Sequence, residues 1–166
     1  MPIPAPLAAV FARLAMSPVC HEHPPLRTVD DAHAYWDALE GAQVKNLFFK
    51  DAGKQLWLVV VPGDPMMDTK ALAALIGSKR LSFASADLLR EVLGVEPGSV
   101  TPLAVMNDGD RQVRTVLHAP LLAADWLLVH PLVNTATTPI APGDVVRFMR
   151  ETHGEPALVD LSGAFK

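Results

Sequence analysis

Only one cysteine, Cys20, occurs in the 166 residues, so no disulfide can form within the chain and nothing points to an oxidising compartment. No long basic run exists and the formal net charge is −4, which argues against a protein that wraps duplex nucleic acid, DNA included, through many phosphate contacts. Contact with one short end of a nucleic acid is compatible with that charge. No stretch approaches the ~18 uninterrupted apolar residues of a membrane helix. The opening run, MPIPAPLAAVFARLAM, is apolar but has no basic segment before it and is broken by three prolines, which argues against a secretory signal. The expectation is a soluble cytoplasmic protein without membrane association. The G-x-S-x-G, H-E-x-x-H, P-loop and G-x-G-x-x-G motifs are also missing. Any catalysis here works with few ionisable groups, and no cofactor is expected.

Half of the residues are hydrophobic and 19% are charged, the balance of a packed globular chain. At this length one domain, spanning 1–166, buries roughly two thirds of its unfolded surface. Apolar spacing predicts a short helix over Leu7–Met16, ended by Pro18, and another over 29–39, with Thr28 as N-cap and Gly41 closing it. Two apolar runs, Val44–Phe49 and Gln55–Val61, flank the turn-like KDAGK and read as a β-hairpin. DTKALAALIG and SADLLREVLG read as helices stopped by Gly77 and Gly94, the second capped by Ser85. Further strands are expected at Leu81–Phe83, Leu103–Met106, Val113–Leu117, Trp126–Val129, Thr135–Thr138 and the ALVDL segment, and a helix from Pro142 to Thr152 with Gly154 as its stop. Hairpins and helices do not alternate as in a doubly wound parallel sheet. The fold class expected is α+β, a mixed, largely antiparallel curved sheet flanked by helices.

Within the first hairpin strand, Lys45 shares a face with Leu47 and Phe49, while Asn46 shares the other with Val44 and Phe48. If Lys45 faces inward, its ammonium is partly desolvated and must find anionic or carbonyl partners. If the strand starts at a sheet edge, it snorkels into water instead. Asn46 at the strand entry suits a bond to a backbone group. The loop EPGSVTP, residues 96–102, can offer backbone N–H groups to a carbonyl or phosphate oxygen, although Pro-Gly-Ser segments are usually plain turns. His130 follows Trp126 and Leu128 on one face of a strand and suits either a structural role or the wall of a pocket. Cys20, His21 and His23 match no closed metal site and have no second cluster to complete one, so no metal is expected.

Four segments, EHPPLRTVDDA, VKNLFFKD, KRLSFASADLLREVLGVEPGSVTPLAVMND and LLVHPLVNTATT, occur in this order and spacing. Together they resemble the YbaK-type aminoacyl-tRNA deacylase family, which includes the editing domain inserted in bacterial prolyl-tRNA synthetases and its freestanding relatives. The likeness runs from Glu22 to Asp160. Lys-Asn-Leu-Phe and His-Pro-Leu-Val-Asn look most like the freestanding branch that removes alanine wrongly attached to the proline tRNA. The resemblance implies a sheet curled around the site, with 1–166 forming one editing domain.

The same resemblance gives Lys45 the place of the family's essential lysine and Asn46 that of the asparagine beside it. Gly98 to Pro102 match its G-x-x-x-P loop, whose amides face the aminoacyl ester, so the Gly98 and Ser99 amides are expected at the oxyanion. His130 matches a histidine at the amino-acid pocket, which Phe49 and Thr28 are expected to border. The implied reaction is hydrolysis of Ala-tRNA(Pro) by water, with a ribose hydroxyl of the substrate helping to activate it. Lys50, Lys54, Lys79 and Arg80 are candidates for contact with the acceptor end, or equally a solvated surface. Prolyl-tRNA synthetase or an elongation factor is a possible deliverer of the substrate. Two alternatives stand beside this reading: another small aminoacyl-tRNA, such as Cys-tRNA(Pro), or a noncatalytic module that binds a synthetase or tRNA.

Overall fold

A computed structural model describes residues 3–25, 35 and 39–166. The expected helix over 29–39 and its cap Thr28 fall almost wholly outside the described residues. In chain order the elements are α1 (Ala5–Arg13), β1 (His21–Glu22), β2 (Ala42–Asp51), β3 (Leu56–Pro62), α2 (Thr69–Ile76), β4 (Leu81–Phe83), α3 (Ala86–Leu93), β5 (Val113–His118), β6 (Leu127–Val129), β7 (Ala136–Ile140), α4 (Pro142–Thr152) and β8 (Ala157–Val159). Three 3-10 segments, Pro102–Asn107, Ala119–Ala123 and Ser162–Ala164, complete the description. The strands form one mixed sheet in the order β1-β7-β6-β2-β3-β5-β8, with β4 paired to β2 outside that path. Four pairings are antiparallel and three, β2–β6, β3–β5 and β5–β8, are parallel.

The β2–β3 hairpin is the spine of the sheet. Its register runs from Val44↔Pro62 to Lys50↔Leu56. Every residue of β3 from Leu56 to Val61 is buried, as expected of a strand covered on both faces. Alternation sorts these side chains into two cores. Val44, Phe48, Leu56, Leu58 and Val60 face α1, α3 and α4, whereas Phe49, Trp57, Val59 and Val61 face α2 and the C-terminal 3-10 turn. Lys45 lies opposite Val61 and Asn46 opposite Val60, so the two polar residues occupy opposite faces of a two-sided core.

The helix ends follow side-chain chemistry. Asp68 accepts from the Lys70 and Ala71 amides at the start of α2, Ser85 accepts from the Leu88 amide at the start of α3, and Gly77 and Gly94 take left-handed conformations past their ends. Helix α1, Ala5–Arg13, begins two residues and ends three residues earlier than its apolar spacing suggests, because Pro4 caps it and the chain turns at Ala15, whose φ is 56°. The segment Leu103–Met106, expected as a strand, is 3-10 helix instead. Pro102 stands in its first turn and the Thr101 hydroxyl accepts from the Leu103 amide, and an apolar run of four cannot by itself distinguish a buried strand from a buried helical turn. Gly41 is needed for close approach: with φ 148°, an added Cβ would lie 2.8 Å from Leu128 Cδ2, so glycine lets β6 pack against the entry to β2.

Asp51 closes the hairpin. Its Oδ1 accepts from the Gly53 and Gln55 amides and its Oδ2 from the Trp57 indole and the Lys79 amide, tying turn, core and β4 approach together. Burial alone would push this carboxyl up, but the bonds from Trp57, Gln55, Lys79 and Gly53 outweigh it and hold the group below its usual range. A carboxylate depressed in the folded state stabilises above its unfolded value near pH 4, and that contribution is lost as pH falls through the folded value. Asp51→Asn should cost about 1–3 kcal/mol at pH 7. In urea titrations the gap from the wild type should shrink at acid pH; a gap independent of pH would overturn this account.

Candidate functional site

Strand β2 is flanked along one edge by β3. On the other edge it pairs with β6 only at Ala42 and Gln43, and with β4 only from Phe49 to Asp51, Ala84 adding a bond to the Phe48 carbonyl. Between them, the edge of residues 44–47 has no strand partner among the described residues. Lys45 and Asn46 sit in this opening. The chain leaves β4 for α3 beside it, and the loop after α3 returns to it.

That return is secured by Asn46, whose Nδ2 donates to the Val100 carbonyl at 3.1 Å. Its Oδ1 is buried and has no partner among the described residues. Within the loop, Gly98 takes φ 92°, a left-handed value suited to glycine, and the Ser99 amide donates to the Glu96 carbonyl at 2.9 Å. The Ser99 amide is therefore already spent in the turn, contrary to its expected place at the oxyanion. The Gly98 and Val100 amides have no acceptor among the described residues. Pro102 is buried and opens the 3-10 helix that anchors the loop, so it holds the loop rather than forming part of an exposed wall.

Lys45 is half-buried and turned inward. Its Nζ donates to the Pro65 carbonyl, in the loop between β3 and α2. Desolvation lowers its pKa, and the charge of Asp64 partly opposes that. The sequence anticipates a carbonyl or anionic partner, but not its source. The segment Gly63–Asp68, far along the chain from the Lys-Asn pair, gives no motif.

His130 follows β6. The parallel register sets Ala42 beside Leu127 and Gln43 beside Leu128, and two residues further on each strand stand Lys45 and His130. His130 is half-buried, and its Nδ1 donates to the Ala136 carbonyl at 3.1 Å, which fixes the tautomer. Burial pushes its pKa down, the Ala136 bond opposes this, and His23 lowers it further. His23 escapes a reading that sees CHEH only as a metal motif. It is buried, its Nδ1 bonds the Pro24 carbonyl, its Nε2 bonds the Thr137 hydroxyl, and its ring packs 5.3 Å from Tyr35. Among the described residues no three His, Cys, Asp or Glu side chains come together as a metal set.

The remaining expected residues lie elsewhere. Phe49, expected at the pocket, is fully buried in the second core and packs on Phe83. The strand register explains this: Phe49 is paired with both Trp57 and Phe83, beyond the opening. Lys50, Lys54, Lys79 and Arg80 are exposed around the hairpin turn, with Lys50 about 17 Å along β2 from Lys45 at ~3.4 Å per residue. Thr28 lies outside the described residues. No described helix is long and apolar enough to cross a membrane.

The Asn46 bond makes a test of the site's architecture independent of activity. Asn46→Ala removes the donor to Val100, a loss of about 1 kcal/mol, and should speed amide hydrogen exchange in residues 98–101 about fivefold. Unchanged exchange there would mean that the loop is held without Asn46.

This arrangement is accompanied by similarity to known proteins. The family model described as an aminoacyl-tRNA editing domain matches residues 23–148. The chain is 36% identical over 157 residues to the prolyl-tRNA synthetase associated domain-containing protein 1 of Danio rerio, covering 93% of this chain and 85% of the relative. It is also 36% identical over 130 residues to the prolyl-tRNA editing protein ProX of Acetoanaerobium sticklandii, covering 78% and 79% of the two chains. Among solved structures, the hypothetical protein APE2540 superposes with a TM-score of 0.72 at 22% identity, over 92% of this chain and 97% of that one, which shows a common fold. The opening in β2 is thus found on a family fold, and the chain belongs to the aminoacyl-tRNA editing domain family.

Proposed function

We propose that the protein is a deacylase that hydrolyses mischarged Ala-tRNA(Pro), releasing alanine and free tRNA(Pro). The observation that carries this reading is the opening in β2, where a partly desolvated Lys45 and an Asn46 latched to the GSVTP loop stand at one strand edge. The editing-domain family and the prolyl-tRNA editing relative support the substrate class.

An aminoacyl ester is already activated, so the site has to position it, stabilise a developing oxyanion and guide a water. No protein nucleophile is required, in keeping with the missing triad. Lys45 is the cation that neutralises negative charge on the terminal nucleotide and ester. Gly98 and Val100 supply the unengaged amides for the oxyanion, in place of the Gly98–Ser99 pair. The Asn46 Oδ1 is an acceptor awaiting a donor, for which the α-ammonium of the aminoacyl group is suited. His130, held by Ala136, limits the size of the amino acid. A ribose hydroxyl of the substrate helps activate water. Such a second sieve answers an energetic need, because a synthetase pocket built for proline rejects a smaller residue by only ~1–3 kcal/mol for each missing methylene.

The acceptor end would run from Lys45 toward Lys50, Lys79 and Arg80. These exposed cations give local attraction on a chain whose net charge gives little at long range. Delivery by prolyl-tRNA synthetase or an elongation factor would serve the same end.

The test is alanine release from Ala-tRNA(Pro), with Pro-tRNA(Pro) as control. The wild type should release alanine selectively, and Lys45→Ala should lose about a hundredfold or more. No release by the wild type would reject the reading and leave a different aminoacyl group or a noncatalytic role. His130→Ala should reduce the preference for alanyl over larger esters about tenfold; unchanged selectivity would remove His130 from the sieve.

A further inference from the structure

The face of the sheet that carries Lys45 carries further polar side chains in one line. Parallel pairing sets Ala42 beside Leu127 and Gln43 beside Leu128, so Lys45 and His130 share a face on neighbouring strands. Antiparallel pairing joins Val129 to Thr138, and one step further sets Thr137 beside His130 on that same face. Past β7, strand β1 leads to His23, whose Nε2 lies 2.7 Å from the Thr137 hydroxyl. In the spatial order β2-β6-β7-β1 the row is therefore Lys45, His130, Thr137, His23. At ~4.8 Å between neighbouring strands, Thr137 stands about 10 Å from Lys45, with His130 between them.

Burial rises along this row. Lys45 and His130 are half-buried, whereas Thr137 is 1% exposed and His23 9%. A row open at the β2 edge and closed at β1 has the form of a pocket with a blind end. Hydrogen bonding makes that end rigid. His23 Nδ1 meets the Pro24 carbonyl at 2.9 Å and carries the hydrogen, because a carbonyl only accepts; in the neutral ring Nε2 then takes the hydroxyl hydrogen of Thr137. Both ring nitrogens are thus engaged, the β-branched Thr137 has little rotameric freedom, and the Tyr35 ring packs 5.3 Å from His23. A pocket separates side chains that differ by one methylene only if its wall does not yield.

We propose that the Thr137–His23 pair is the end wall of the amino-acid pocket and, behind His130, sets how far a substrate side chain can reach. This rests on the deacylase reading in placing the aminoacyl ester at Lys45. His130 then flanks the side chain, and the bond from hydroxyl to imidazole fixes the depth. His23 acts through Thr137 and is a positioning residue. Loss of the bond widens the range of side chains accepted and leaves the smallest one bound.

The test is binding, by the full-length protein, of adenosine analogues that carry alanine, 2-aminobutyrate or valine in a non-hydrolysable 3′-amide, followed by NMR titration. With the wild type, the alanyl analogue should shift the Thr137 methyl and His23 ring signals, which adenosine alone should leave in place. It should also bind about tenfold or more tightly than the 2-aminobutyryl analogue, and the valyl analogue should bind more weakly still. Thr137→Ala, which removes the bond to His23, should bring the alanyl and 2-aminobutyryl analogues within about threefold of each other, whereas Thr137→Ser, which keeps the hydroxyl, should retain the wild-type preference. An alanyl analogue that binds no better than adenosine, or binds without moving the Thr137 and His23 signals, would overturn the end wall on the wild type alone. So would an unchanged preference in Thr137→Ala, or a preference lost equally in Thr137→Ser. Because the amide is not hydrolysed, these outcomes are read separately from alanine release, whose absence would reject the deacylase reading alone.

Discussion

The unpaired stretch of β2 is the constraint on which the site depends. A strand in mid-sheet normally has both edges satisfied, yet β6 joins one end of this edge and β4 the other, and they run in opposite directions relative to β2. The interval is too short for another strand and too polar to be sealed by the core. It is filled by a loop from elsewhere in the chain, bound through an asparagine side chain. Each flanking element then brings a part: β6 leads to His130, β4 leads through α3 to the GSVTP loop, and the far end of β3 leads to the carbonyl that receives Lys45.

Placing Lys45 and Asn46 on opposite faces of one strand divides their work. The lysine looks toward the smaller core and is held by the loop that begins α2, whereas the asparagine looks toward the larger core and holds the loop that follows α3. Neither side chain can move without disturbing a different layer of the protein. The buried β3, apolar on both faces, supplies the stiffness that makes such an arrangement possible.

Local chemistry was the part most legible from sequence. The hairpin, the Ser85 cap and the glycine stops of α2 and α3 depend on neighbours a few residues away, and they are found where the pattern places them. The segment Leu103–Met106 has the apolar run of a strand, yet its conformation is decided by Thr101, Pro102 and the packing beneath it. In the site, the Lys-Asn pair, the loop and the histidine were visible, but Pro65 and the engagement of the Ser99 amide by Glu96 were not, since both are backbone carbonyls and carry no residue signature. Resemblance places Phe49 at a pocket, whereas the register buries it in the core.

The loop that receives Lys45 is itself tied to the other end of the chain. Asp68 donates its amide to the Ala164 carbonyl, Lys166 donates to the Met66 carbonyl, and Met67 bridges Phe165. The last residues therefore act as a buttress for a loop nearly one hundred positions away in sequence. A bulky fusion joined directly to Lys166, or proteolytic trimming of the final turn, would strain this clasp and reach the lysine's acceptor without touching any residue of the site. For engineering or surface attachment, the exposed Gly109 region, where an added side chain would meet nothing, is the safer place to work.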